Sequence, residues 1–128
     1  MAPVTVRYIV HDLDEALAFY RDVLGFDVVM HPAPTFAMLG RDDLRLALSV
    51  PSGEGGGGQI TAAGRPEPGG WNRFQIQVDD LAAEVERLRG AGARFRSEPI
   101  SGVGGDQVLV EDPSGNPVEL FQFKRPDG

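Results

Sequence analysis

The chain carries one pattern twice: Val10-His11-Asp12-Leu13 returns 68 residues later as Val78-Asp79-Asp80-Leu81. Each copy leaves an apolar run and opens a helix-like one. An internal repeat constrains architecture more tightly than local propensity does, because each unit has to bury its apolar face against another. In 128 residues there is room for two half-size units, each too small to hold a core alone. The halves are therefore expected to pack together, within one chain or by exchange with a second copy. Two curved units that face each other would enclose a cleft, a common place for a ligand.

Val4, Val6, Tyr8 and Val10 alternate with Thr5, Arg7 and Ile9, the period of a strand with one packed face. Asp12, with Glu15 three residues on, opens a helix whose apolar face is Leu13, Ala16, Leu17, Tyr20 and Leu24, and Gly25 stops it. Extended runs follow at 27–31, 35–39 and 44–50, giving β-α-β-β-β. The second half repeats the plan, with a strand at 72–78, a helix at 81–90, and strands at 94–98, 107–111 and 117–123. Residues 1–52 thus form a first repeat, 53–70 a Gly/Pro-rich connection, and 71–128 a second repeat, all within one structural domain. The expected fold class is α+β, with two tandem βαβββ repeats whose curved mixed sheets enclose a cup and whose helices lie outside. The connection reads as a solvated linker, with a lid over the cleft as the sharper alternative.

Composition removes several classes of function. A formal charge of −7 and a pI near 4.7 repel phosphate backbones and anionic membranes, so neither is an expected partner. With no cysteine there is no disulfide, thiolate nucleophile or Cys-ligated metal. Met1-Ala2-Pro3-Val4 enters a strand pattern at once, without a basic or long apolar leader, which points to the cytoplasm.

Asp12-Leu13 before Ala18-Phe19-Tyr20-Arg21-Asp22-Val23-Leu24-Gly25-Phe26, with the closing Glu111-Asp112-Pro113-Ser114-Gly115-Asn116-Pro117-Val118-Glu119-Leu120, resembles the vicinal oxygen chelate superfamily. That superfamily includes glyoxalase I, extradiol dioxygenases, fosfomycin-modifying enzymes and bleomycin-resistance proteins, and the likeness spans nearly the whole chain. In its enzymes, the resemblance implies a divalent ion held by His, Gln or Glu from the first and last strand of each repeat. Those positions fall here on Thr5, Ala47, Arg73 and Glu119. Three of the four are not competent ligands, and one carboxylate does not make a tight site. The resemblance thus implies the metal-free, bleomycin-resistance-like branch and a homodimer, with no cofactor.

An Arg73–Glu119 pair, possible on neighbouring strands in this fold, would fill the vacated position in bidentate fashion. Alternation places Thr5, Arg7 and Ile9 in the cup, then Arg73, Gln75 and Gln77, then Glu119 and Phe121. Phe36 and Met38 share a face of the third strand that alternation alone does not orient. Trp71 sits at the rim, either stacking on a planar ligand or anchoring the connection to the body, the second being the plainer role. His11 and His31 read as surface or turn residues. The expected ligand contacts are Thr5, Arg7, Phe36, Met38, Ala47, Trp71, Arg73, Gln75, Glu119 and Phe121, with no catalytic residue and no metal ligand.

The favoured function is capture of a planar aromatic or bulky natural product, such as an antibiotic, without bond chemistry. The alternatives are a metal-dependent lyase or dioxygenase with unusual ligands, and a metal-independent isomerase or cyclase. In the last, Glu119 would act as base beside Arg73, although a carboxylate next to a guanidinium is a weak base.

Overall fold

The computed structural model describes residues 4–53 and 56–124. The expectations for Met1-Ala2-Pro3, for Gly55 of the glycine run and for the last four residues lie outside them. The chain is α+β and divides into two compact units. One comprises the described residues through Gly69 together with Pro113–Asn116, the other Gly70–Asp112 and the chain from Pro117 onward.

In the first unit, β1 (Val4–Ile9) leads into α1 (Leu13–Ala18), followed by β2 (Asp27–Ala33), β3 (Phe36–Arg41) and β4 (Leu44–Ser49). The strands form one sheet ordered β1-β4-β3-β2, with β1 parallel to β4 and the other pairs antiparallel. Tyr8, Val10, Ala37, Leu39, Leu46 and Leu48 are buried with Leu13, Ala16 and Leu17 of the helix, so the period-two and period-3.6 faces meet as expected. The Asp12 carboxylate accepts from the Glu15 N–H at 3.1 Å, which satisfies one of the free donors at the helix start.

The first helix departs from expectation in its second half. From Phe19 to Val23 it widens into a π-helical turn, closed by the Leu24 N–H bonding the Phe19 carbonyl at 3.1 Å. The extra residue lets Tyr20 sink fully into the core, edge-on to Phe19 at 5.1 Å and to Phe26 at 5.6 Å. An amphipathic count cannot distinguish these two windings, because both keep the same residues on the inner side.

The second unit runs β5 (Gln75–Gln77), α2 (Leu81–Gly90), β6 (Arg94–Phe95), β7 (Ile100–Ser101), β8 (Gly105–Glu111) and β9 (Pro117–Phe123). Its sheet is ordered β5-β9-β8-β6, with β7 also on β8, and again the first and last strands are parallel. Asp80 caps α2 as Asp12 caps α1, accepting from the Ala83 N–H at 3.1 Å. The expected strand at 94–98 shortens to two residues and a separate β7 follows, giving nine strands among the described residues instead of eight. Pro99 lies at that break, where its lack of an N–H interrupts a ladder.

The described part of the glycine-rich connection is mostly exposed, yet it carries hydrogen bonds of its own. Ser52 donates to the Gly58 carbonyl at 2.9 Å, Ile60 to the Ser52 carbonyl at 2.8 Å, and Gly69 to the Asn116 Oδ1 at 2.7 Å. A Cβ on Gly57 would overlap the Arg7 guanidinium, and one on Gly58 would overlap the Val50 carbonyl. At Gly58 the obstacle is backbone, so glycine is needed there for close approach, whereas at Gly57 the flexible Arg7 side chain could swing aside.

Gly105 poses the same problem in the second unit. A Cβ there would overlap the Gln122 carbonyl oxygen and lie 2.8 Å from the Phe121 ring. Gly105→Ala is therefore expected to destabilise the protein by about 2 kcal/mol, the usual scale of overpacking, as read from urea unfolding. An unchanged midpoint would mean that β8 and β9 pair less closely than this.

Candidate functional site

The second sheet concentrates the polar groups. β5 and β9 pair in parallel with Gln75 opposite Glu119 and Gln77 opposite Phe121, while β8 sets Leu109 and Gln107 opposite the same two β9 residues. Directly opposed residues project from the same side of a sheet, so these six side chains share one face. Phe74 and Ile76, the intervening residues, are buried on the other side.

On that face Glu119 is held from two directions. Arg73 Nε and Nη2 both lie 2.9 Å from Oε1, and Gln75 Nε2 donates to Oε2 at 2.7 Å. The pairing differs from the expected fork, because both guanidinium nitrogens converge on one oxygen and leave the second to the amide. Arg73 also donates through Nη1 to the Trp71 carbonyl at 3.1 Å. The Glu119 side chain is 9% exposed and that of Arg73 28%, a depth at which an ion pair is only partly screened.

A second arginine extends the cluster. Arg96 donates through Nε to Glu111 Oε2 at 2.8 Å and through Nη1 to the Gly70 carbonyl, and its guanidinium lies 4.6 Å from the centre of the Trp71 ring. That spacing is cation–π range. Trp71 nevertheless keeps 69% of its surface exposed, so the contact orients the indole without burying it. The contacts with Arg96 and Arg73 are compatible with Trp71 anchoring the connection to the body, and they leave its ring exposed. Arg96 and Glu111 were missed in the sequence because their juxtaposition depends on the register of β6 against β8.

In the first unit the register places Arg7 opposite Ala47, Ala47 opposite Met38, and Met38 opposite Met30. The neighbouring ranks hold Thr5 beside Arg45, and Ile9 beside Ser49 and Phe36. Ala37 and Leu39 are fully buried while Phe36 and Met38 are only partly so, which gives these two the face shared with Thr5 and Arg7. Ala47 itself has no exposed surface. Ser49, also missed, is on the same face, with a buried hydroxyl that has no hydrogen-bond partner among the described residues. Two-residue alternation from Ala47 would have found both Ser49 and Arg45. His11 and His31 line a hollow of about 590 Å³ in this unit, with Asp12, Asp14 and Pro32.

The chain belongs to the Glyoxalase/Bleomycin resistance protein/Dioxygenase superfamily, whose profile matches residues 3–120. It is 30% identical over 122 residues to a lactoylglutathione lyase of Haemophilus influenzae, covering 90% of this chain and 87% of that one. Among solved structures, TnmS3, an antibiotic binding protein from Streptomyces sp. CB03234, superposes with a TM-score of 0.72 at 23% identity, covering 94% of this chain and 93% of that one. TioX from Micromonospora sp. ML1 superposes with a TM-score of 0.76 at 19% identity, covering 97% and 100%. Two βαβββ modules are the architecture that this membership entails.

A divalent ion would need oxygen or imidazole donors that are free to turn toward it. In the second unit both carboxylate oxygens of Glu119 already accept from Arg73 and Gln75. Among the described residues no group of three or more His, Cys, Asp or Glu is placed to hold a metal. These residues do not fit a resident divalent ion.

Proposed function

We propose that this protein binds a small organic molecule without metal and without making or breaking a bond, sequestering an antibiotic or related natural product. The observation that carries the reading is the engagement of Glu119: its two oxygens are held by Arg73 and Gln75, so it is neither a free base nor a free ligand. Beside it, the exposed indole of Trp71 offers a flat surface whose orientation Arg96 maintains. The printed description of TnmS3 as an antibiotic binding protein supports the same direction. Ligand contacts are proposed at Trp71, Arg73, Gln75, Glu119 and Phe121 in the second unit, and at Thr5, Arg7, Phe36 and Met38 in the first; Ala47, expected among them, has no surface for a ligand to touch. The protein would act in the cytoplasm as a homodimer. The exposed Val28, Val29 and Met30 on edge strand β2 offer apolar surface for the second copy.

The enzyme reading is favoured by one observation, the 30% identity to a lactoylglutathione lyase. The two separate cleanly by stoichiometry. Titration with bleomycin and with planar aromatic antibiotics such as doxorubicin is expected to quench the fluorescence of Trp71, the sole tryptophan, with saturation near one ligand per chain and ligand recovered intact. Formation of S-lactoylglutathione from methylglyoxal and glutathione, with nickel or zinc added and protein at catalytic amounts, would overturn the proposal.

A further inference from the structure

A second hollow lies on the opposite, helix-covered side of the second sheet, away from Glu119. The register aligns Ser101 of β7, Asp106 of β8 and Gln122 of β9 in one rank across three strands, so their side chains share a face. Further along the same face Val108, Val110, Val118 and Leu120 are buried under α2. The helix begins at Leu81, and its first N–H donates to Gln122 Oε1 at 2.7 Å. Beyond that point the sheet is uncovered, leaving a hollow of about 250 Å³ walled by Leu81, Pro99 and Ile100 and floored by the polar rank.

Asp106 makes this hollow chemically specific. Its Oδ1 is buried and has no hydrogen-bond partner among the described residues. Among the described residues no Lys or Arg forms an ion pair with Asp106, and none that lines the hollow is basic. Buried acceptors are ordinarily satisfied, and a charged one gains most from a charged donor. An anion is excluded by the carboxylate, and a metal ion by the lack of a second acidic or imidazole donor. A compact ammonium brings three N–H donors, enough for the Asp106 carboxylate, once it turns Oδ1 toward the hollow, and the Ser101 hydroxyl together, while a short alkyl chain would lie against the apolar wall. We propose that this hollow is a binding site for a short alkylammonium group, separate from the site proposed for the natural product.

The probe is n-butylammonium chloride, titrated into ¹⁵N-labelled protein, with n-butanol and sodium butyrate as controls. Saturable shifts are expected at the amides of Leu81, Ser101 and Asp106 with the amine, and not with either control. Asp106→Asn should weaken the amine on the order of tenfold while leaving the rest of the spectrum in place. If that variant does not fold, Ile100→Trp, at a half-exposed position, fills the hollow from its rim and should abolish the shifts. Equal shifts with butanol, shifts elsewhere only, or unaltered affinity in either folded variant would overturn the proposal.

Discussion

Arg73→Met is expected to destabilise the protein by about 3 kcal/mol, because it leaves the nearly buried Glu119 carboxylate with one partner of two. The loss should fall mainly on the charge left behind. Adding Glu119→Gln is therefore expected to recover much of it, since an amide costs less to bury than a carboxylate. Urea unfolding of the wild type, both single variants and the double gives a cycle from which the coupling is read, provided the slopes agree. A coupling below about 0.5 kcal/mol, the level of exposed pairs, would mean that Arg73 does not secure Glu119. The proposal of a bond-free binder would then lose its main support. A freed Glu119 would also be open to cations, so weak manganese binding that appears only in Arg73→Met would agree with the same account.

Asn116→Leu should cost about 2 to 3 kcal/mol. Asn116 is 4% exposed, donates through Nδ2 to the Ile9 carbonyl at 2.7 Å, and accepts from the Gly69 N–H at 2.7 Å. Leucine has similar size and no polar atom, so both backbone groups lose their partner while packing is nearly kept. The neighbouring Ser114 Oγ accepts from the His11 N–H at 2.9 Å. Ser114→Ala is thus expected to add a smaller loss in the same assay. If Asn116→Leu unfolded at the wild-type midpoint, the closing turn would not be fastening the end of β1 to the end of the connection.

The repeat and two simple periods carried most of the architecture. Asp12 and Asp80, 68 residues apart, both cap helices, and alternation separated Phe74 and Ile76 from Gln75 and Gln77 correctly. The Arg73–Glu119 pair was legible through the family resemblance, which implies that the first and last strands of a repeat are neighbours. What escaped was set by tertiary register or by ambiguous composition. The Trp71–Arg96–Glu111 arrangement needs the β6–β8 register, which no local pattern encodes. Gly58 reads equally as part of a loose linker and as a point of close approach, and only its proximity to the Val50 carbonyl in three dimensions decides between them. The same holds for the hollow containing His11 and His31, residues 20 apart in sequence that the fold brings to one place.

The parallel pairing of first and last strands has a kinetic consequence. β1 cannot find its sheet partner until β4 exists, and β5 must wait for β9, so each sheet closes by its most distant contact. Such non-local closure slows folding. The first unit has a further delay, because Pro113–Asn116 belong to it although they lie near the far end of the chain. On the ribosome, the first repeat would therefore emerge as a sheet without its fastening turn, with the Ile9 carbonyl and the Gly69 N–H unpaired until Asn116 arrives. Its completion depends on synthesis of almost the whole chain, which ties the folding of the two repeats together in time.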